Sequence, residues 1–431
     1  MFNELYQGNH LVQKPAGVSD FLPEQVKLYR SLEDQALSIF NAWGYEEVFV
    51  PTLEYPEMFA IDKGKFFERE MFKLSDETGR PMVIRPDFTP SIARLVATYY
   101  AQKPTPIRLC YSGKIYRSRL TSSSTAQGKE FYQMGAELIG GGVPDGDAEI
   151  AAIAAETMAA FGINDFVICM GDLAFIDRFL KELEIPESQV QNIKETLNQG
   201  NLVKFYQLID GLALNDKNRR ILKRLPRFRG KREDLSDLRE TLTSLQVDDI
   251  LTKMDNIYQV LEGYGLSDKV TFDLSLVRNL DYYTGFVFEG YASGIGYPLC
   301  GGGRYDNLMN YYGMNLSATG FGFSLDNILK LVSRKKQPAV ETPTRYLVTY
   351  EHGYRKEALL RARKLRQKGY QVIMALASST LHDALKYARK QYAGRLDYMT
   401  REGLKSYLVE EETGKSVRES EVAQDDQPGD A

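Results

Sequence analysis

Cysteine and histidine are both scarce in this chain: three of each in 431 residues. Cys110, Cys169 and Cys300 stand far apart with no Cys-x-x-Cys spacing. This argues against a disulfide framework and against a metal site, and it fits a reducing cytoplasm. Long apolar runs are missing too. None approaches the roughly 18 residues that span a bilayer, so no membrane association is expected. The first residues, MFNELYQGNHLVQKP, lack an apolar stretch of the kind that directs secretion. Charge of one sign is not in excess: the net charge of -4 offers no global attraction for nucleic acid or anionic membrane, so any such binding needs a local patch. What remains is ordinary globular composition, 43% hydrophobic and 26% charged, in a chain long enough for two or three domains.

After an irregular start at Lys14–Pro23, a helix is expected to about Trp43, because Tyr29, Leu32, Ala36, Ile39, Phe40 and Trp43 recur at three and four residues and Gly44 stops it. Tyr45–Val50 reads as a strand ended by Pro51. Strands follow at Phe66–Leu74 and Pro81–Arg85, then a helix at Pro90–Tyr100, with Asp87 and Thr89 placed to cap it or to meet an amine ligand. Ile107–Tyr116 and Lys129–Ile139 read as antiparallel partners joined by a Ser/Thr-rich loop with arginines at its root. On the second strand Gln133 and Glu137 share a face, polar within an apolar run, and ask for a ligand or a network.

Asp145–Phe161 reads as a helix and Phe166–Cys169 as a strand. Residues 173–265 are helical in pattern and are read as an insertion. Within it Lys217–Arg232, KNRRILKRLPRFRGKR, has no acidic residue and suits either an RNA or polyphosphate partner or a solvated helix face. Residues 1–172 and 266–335 then form the two parts of one core. Beyond the linker at Ser333–Pro343, strands and helices alternate over 344–418 as a small α/β domain, with a hairpin expected about Thr413-Gly414. The acidic tail 419–431 is expected to be disordered.

The stretch that organises the chain is Phe272–Glu289, FDLSLVRNLDYYTGFVFE. Two β-prone runs, Val270–Val277 and Tyr282–Glu289, flank a turn at Arg278-Asn279. Arg278, Asp281, Tyr282 and Tyr283 put a cation, a carboxylate and two phenols where a small ligand can be held; a plain hairpin with a surface Arg278–Asp281 pair is the other reading. Cys300-Gly-Gly-Gly-Arg-Tyr-Asp306 permits close backbone approach, or marks a turn. Gly320–Leu331 reads as a strand running into a helix.

From Lys14 to Val332 these motifs, in this order, resemble the class II aminoacyl-tRNA synthetase core, and specifically the histidyl-tRNA synthetase family. Leu276–Gly285 is similar to its first histidine-specific signature and Gly301–Asp306 to its second, while Val48–Pro51 with the preceding helix resembles the dimer-forming motif 1. The resemblance implies an α+β fold: an antiparallel sheet flanked by helices, with a helical insertion and an anticodon-binding-like C-terminal domain. It places Asp87, Thr89, Gln133, Glu137, Arg278, Tyr283 and Tyr305 at histidine-binding positions, although the family usually has glutamate where Asp87 stands. On that basis Asp87 and Glu137 would hold the α-ammonium, and Arg278 the α-carboxylate or the reaction's phosphate.

The pattern departs from the enzyme at its ATP contacts. Motif 2 normally reads Phe-Arg-x-Glu; here Arg117 remains, a vestigial phosphate ligand, but Arg119 replaces the glutamate and cannot accept a hydrogen bond from adenine. Motif 3 normally ends Gly-Leu-Glu-Arg; here it is Ser324-Leu-Asp-Asn327, and Asn327 carries no charge. In this the chain resembles the paralogous ATP phosphoribosyltransferase regulatory subunits. That resemblance implies a non-catalytic homodimer within a hetero-oligomer, with no cofactor, with histidine as ligand and with a short catalytic subunit as partner, in histidine biosynthesis and its feedback control. The alternative is an active histidyl-tRNA synthetase. No kinase-like segment is present to support a sensor role.

Overall fold

A computed structural model describes residues 12–59, 70–118, 128–277, 282–333 and 345–409. They fall into two compact units, with the division at Lys335 and Lys336.

The first unit is built on a nine-stranded sheet of order β1-β5-β6-β12-β11-β10-β7-β9-β8. Its strands are β1 (Glu46–Glu47), β5 (Ile107–Tyr116), β6 (Glu130–Ile139), β7 (Phe166–Asp172), β8 (Arg229–Gly230), β9 (Val270–Asp273), β10 (Phe286–Ala292), β11 (Cys300–Arg304) and β12 (Ala318–Ser324). β5 and β6 pair over their full length, from Ile107 opposite Ile139 to Tyr116 opposite Glu130. A smaller sheet, β2-β4-β3, is formed by Leu53–Glu54, Pro81–Ile84 and Phe72–Ser75.

Two helices cover one face of the large sheet. α1 (Pro23–Ala42) carries Pro23 in its first turn and buries the stripe Tyr29, Leu32, Ala36 and Phe40. After α2 (Thr89–Tyr99), α3 (Asp145–Ala160) is alanine-rich because it is enclosed on nearly every side. Ala148, Ile150, Ala151, Ile153, Ala154, Ala155 and Met158 are all buried. Small side chains let its neighbours approach closely. The insertion supplies α4 (Leu173–Glu182), α5 (Glu187–Asn198), α6 (Leu202–Asp210), α7 (Asp216–Arg224), α8 (Asp234–Leu242) and α9 (Asp248–Gly263), and the core resumes with α10 (Asp306–Tyr311) and α11 (Leu325–Val332). No helix among the described residues is long and apolar enough to cross a membrane.

Several sequence expectations are corrected. β9 and β10 do not form a hairpin: β9 pairs in parallel with β7 and β10 pairs antiparallel with the other edge of β7, which therefore lies between them. The strand starts at Phe286, not Tyr282, and the earlier one stops at Asp273, where its carboxylate accepts from Ser275 N–H and Oγ. The glycine triplet 301–303 is a buried central strand rather than a turn. The strand expected at Tyr45–Val50 is confined to Glu46–Glu47, paired in parallel with β5, and Val48 at the start of motif 1 adds one more bond, its N–H donating to Cys110 O at 2.9 Å.

The second unit has a four-stranded sheet of order β14-β13-β15-β16, from Gln371–Met374, Arg345–Tyr350, Arg395–Thr400 and Gly403–Leu408. β13 is parallel to β14 and β15, whereas β16 returns antiparallel through Arg401 and Glu402. α12 (Arg355–Gln367) and α13 (Leu381–Lys390) pack on separate apolar clusters. The expected hairpin at Thr413-Gly414 lies outside the described residues.

Candidate functional site

The site grows from the alternation of β6. Gln133, Gly135 and Glu137 project to one face, and the register sets Gly320 of β12 opposite Glu137 and Ser324 opposite Gln133. Glycine at 320 is required by what lies over it: a Cβ there would come within 1.6 Å of Glu137 Oε2.

Glu137 is 1% exposed. Thr89 Oγ1 donates to its Oε1 at 2.7 Å and the Tyr305 hydroxyl to its Oε2 at 2.5 Å. Burial pushes its pKa up to about 8; the two donors pull down and the nearby Asp87 carboxylate pushes up. Asp87 is also buried. Its Oδ2 accepts from the Tyr282 hydroxyl at 3.0 Å and its Oδ1 from Thr89 N–H at 3.3 Å. Thus Asp87 serves the start of α2 and the site together. The Thr89 side chain caps nothing: it lies in the first turn and is committed to Glu137.

Tyr283 lies tilted at 51° beside Tyr282 with a 4.9 Å centroid separation, and Tyr305 meets Tyr282 edge-on at 5.8 Å. Burial raises the pKa of Tyr282 and Tyr305 well above the ordinary phenol value, so both remain donors at neutral pH. Gln133 Nε2 reaches the Tyr111 hydroxyl at 3.4 Å, and Tyr111 stacks on Phe88 at 4.2 Å. Arg85 braces this wall. It lies 4.2 Å over Phe88 and donates to the carbonyls of Val50, Pro51 and Lys114. Arg117 donates to Pro86 O at 3.2 Å, next to Asp87. Arg278, Asp281 and Arg119 lie outside the described residues. The site therefore offers two buried carboxylates and four phenols, with no cation on either carboxylate among the described residues. That set suits a ligand bearing an ammonium or several N–H donors.

Farther along the same face, Gln133 Oε1 and Ser324 Oγ are buried without a hydrogen-bond partner among the described residues, as is Asn327 Oδ1 at the start of α11. Asp326 beside it has its pKa pushed up to about 6 by burial. Three cations of the basic run are engaged within the insertion, while Lys217, Arg220, Arg224, Arg227, Arg229 and Lys231 are exposed. Arg219 donates to the carbonyls of Ile209, Asp210, Leu212 and Leu214, Lys223 pairs with Asp210, and Arg232 with Asp255 and Glu262.

A family model described as "Histidyl-tRNA synthetase" matches residues 17–328. The ATP phosphoribosyltransferase regulatory subunit of Moorella thermoacetica is 37% identical over 86% of this chain and 94% of its own length. A crystal structure described as an ATP phosphoribosyltransferase regulatory subunit/histidyl-tRNA synthetase from Bacillus halodurans is 32% identical, with a TM-score of 0.78 over 91% of this chain and 97% of that one. The chain belongs to the histidyl-tRNA synthetase-like family of ATP phosphoribosyltransferase regulatory subunits. The fold reaches further: histidyl-tRNA synthetase from Nostoc shares it at a TM-score of 0.78 and only 20% identity, covering 95% of this chain and 97% of that one.

In this regulatory-subunit chain the structure brings Asp87, Thr89, Gln133, Glu137, Tyr283 and Tyr305 to one region of the sheet, beside the apolar cluster that holds Tyr111, Tyr282 and Tyr305. Tyr111 escapes sequence reasoning because it sits in an apolar strand where an aromatic is expected. Tyr282 was visible in the signature, but nothing local distinguishes its hydroxyl from that of Tyr283.

Proposed function

We propose that this chain is the regulatory subunit that acts with a short ATP phosphoribosyltransferase catalytic subunit in the first step of histidine biosynthesis, and that it binds histidine for feedback control. The observation that carries the ligand is the buried Glu137–Asp87 pair with its phenol donors. Two buried carboxylates with no cation on either among the described residues favour an incoming ammonium. Arg278 completes the reading as the partner of the α-carboxylate or of the reaction's phosphate, and Gln133, Tyr283 and Tyr305 as partners of the imidazole or the amine. The chain itself is read as non-catalytic. Its position 327 is an uncharged amide where a synthetase needs a guanidinium, and position 119 is a cation where adenine needs an acceptor. Arg117, whose Nε is engaged by Pro86, is read as a remnant of the phosphate site.

The subunit is further proposed to be a homodimer through motif 1. Phe49, 82% exposed, together with Leu53, Tyr55 and Leu74 on and beside the small sheet, supplies an apolar surface of the kind that marks an interface. A strictly monomeric mass well above micromolar concentration counts against this. The function as a whole is tested by co-purification with a short phosphoribosyltransferase subunit, followed by activity with and without histidine. Failure to associate, or histidine-dependent adenylate formation by this chain alone, would overturn the reading in favour of an active synthetase.

A further inference from the structure

Behind the site, on the opposite face of the sheet, lies a set of buried charges that the ligand reading does not use. Arg304, 3% exposed, lies against Asp147, 0% exposed, with Nη2 at 2.8 Å from Oδ1 and Nε donating to Oδ2 at 3.1 Å. It also donates to Asp306 and to Gly141 O. Beside it, Asp172 is 1% exposed at the end of β7, and Lys253 of α9 places its ammonium 3.3 Å from Asp172 Oδ2. The Lys253 charge acts on Asp147 as well. Thus α9, a helix of the insertion, extends one cation into the core.

That cation also meets the segment leading out of the pocket. A Cβ built on Gly285 would sit 3.1 Å from Lys253 Nζ, so the ammonium lies directly against this backbone. The segment is tied on both sides: Leu173 N–H donates to Gly285 O at 2.9 Å, and Thr284 N–H donates to Arg304 O at 2.8 Å. Two residues before Thr284 stands Tyr282, donor to Asp87. A pair with one partner this deeply buried is a weak source of net stability but an effective fixer of geometry.

We propose that Lys253 is a positioning residue for the ligand pocket: from the insertion, its ammonium pins Asp172 and the Gly285 backbone and so holds Tyr282 in place against Asp87. The insertion and the pocket are thereby coupled through one side chain. The coupling to histidine rests on the ligand reading above; the positioning is a property of the unliganded chain.

Hydrogen exchange on the full-length chain, followed by histidine calorimetry, tests both parts with Lys253→Met, Gly285→Ala, their combination, and the control Arg232→Met. The control breaks ion pairs to Asp255 and Glu262 within the insertion, away from the pocket. Lys253→Met is expected to speed exchange of the Leu173 and Thr284 amides by roughly tenfold, the control not at all. Each of the two pocket-side variants is expected to weaken histidine binding about five- to tenfold, and the combination no more than the worse single, because both act through one contact. Should Lys253→Met fail to fold, Gly285→Ala carries the same test, since its added methyl displaces only the end of a flexible lysine. Unchanged exchange, or fully additive losses, overturns the proposal. A wild-type chain that takes up no histidine while the exchange effect is present overturns the ligand assignment and leaves the positioning role supported.

Discussion

At the Glu137 end of the sheet face, Thr89 and Tyr305 take both oxygens of one carboxylate, while Tyr282 and the Thr89 backbone take both oxygens of the other. At the Ser324–Asn327 end, Gln133 Oε1, Ser324 Oγ and Asn327 Oδ1 are buried and have no hydrogen-bond partner among the described residues. One end is fully hydrogen-bonded yet holds two carboxylates in a low-dielectric site; the other is neutral at its key position and incompletely paired. On the proposed reading, the first arrangement favours a cationic ligand. The second has no fixed guanidinium at position 327 to meet a phosphate. On the proposed reading, the amino-acid half of a synthetase site has been kept and the nucleotide half given up.

The largest effect expected from this contrast is chemical. Histidine-dependent ATP–pyrophosphate exchange by the isolated chain should lie at least ~10²–10³-fold below that of an active synthetase, the size of effect of removing a preorganised transition-state donor. Exchange at a normal rate breaks the comparison outright. Next comes the ligand itself. Glu137→Ala leaves a histidine ammonium without its carboxylate, and Arg278→Ala leaves the ligand carboxylate unpaired. Each should cost about 1.5–3 kcal/mol, or roughly tenfold or more in affinity. The assembled complex should keep much of its phosphoribosyl transfer but respond only to higher histidine. Inhibition curves that overlay the wild type would place regulation wholly on the catalytic subunit.

The pH dependence sharpens the same contrast. Glu137 titrates at about 8 in the unliganded chain, so at pH 6–7 it is mostly protonated. An ammonium ligand favours the ionised form and must expel the proton, so affinity should rise by up to about tenfold per pH unit from pH 6 towards 8, with uptake of histidine releasing a proton to buffer. The stability of the unliganded chain runs the other way. A carboxyl with a raised folded pKa binds its proton more tightly when folded, so this contribution is complete below about pH 4.5 and is lost as pH rises through about 8. Glu137→Gln should flatten both curves. Calorimetry in buffers of different ionisation enthalpy and melting curves from pH 5 to 9 check the two signs.

How much of this was legible depends on the range of the interactions. The stripe Tyr29, Leu32, Ala36 and Phe40 is local, so α1 is readable from spacing. β5 spans the predicted Ile107–Tyr116, and the period of two put Gln133 and Glu137 on one face. What failed was non-local. Nothing in residues 270–289 announces that β7, about a hundred residues earlier, separates the two strands. A run of three glycines reads as a turn because glycine disfavours strands; here the neighbours β10 and β12 impose the conformation. Thr89 is a residue type suited to capping, and the partner that overrides that preference, Glu137, is 48 positions away. The Arg304–Asp147 pair was likewise invisible, since Asp147 lies in the first turn of a helix, where an acidic residue is ordinary.

The smallest expected effect isolates one hydrogen bond. Thr89 is 6% exposed, and Thr89→Val keeps its shape while removing the hydroxyl that donates to Glu137 Oε1 at 2.7 Å. Because that bond favours the ionised carboxylate, its loss should raise the Glu137 pKa further. The expected cost to histidine binding is about 1 kcal/mol, a few-fold in affinity, at pH 7. The loss should be larger at pH 7 than at pH 8.5, where the carboxylate ionises even without the hydroxyl. Thr89→Ser, which retains a donor, should behave as the wild type at both values. Equal losses for Thr89→Val at the two pH values would mean that Thr89 shapes the pocket by packing alone, and that the charge state of Glu137 is set without it.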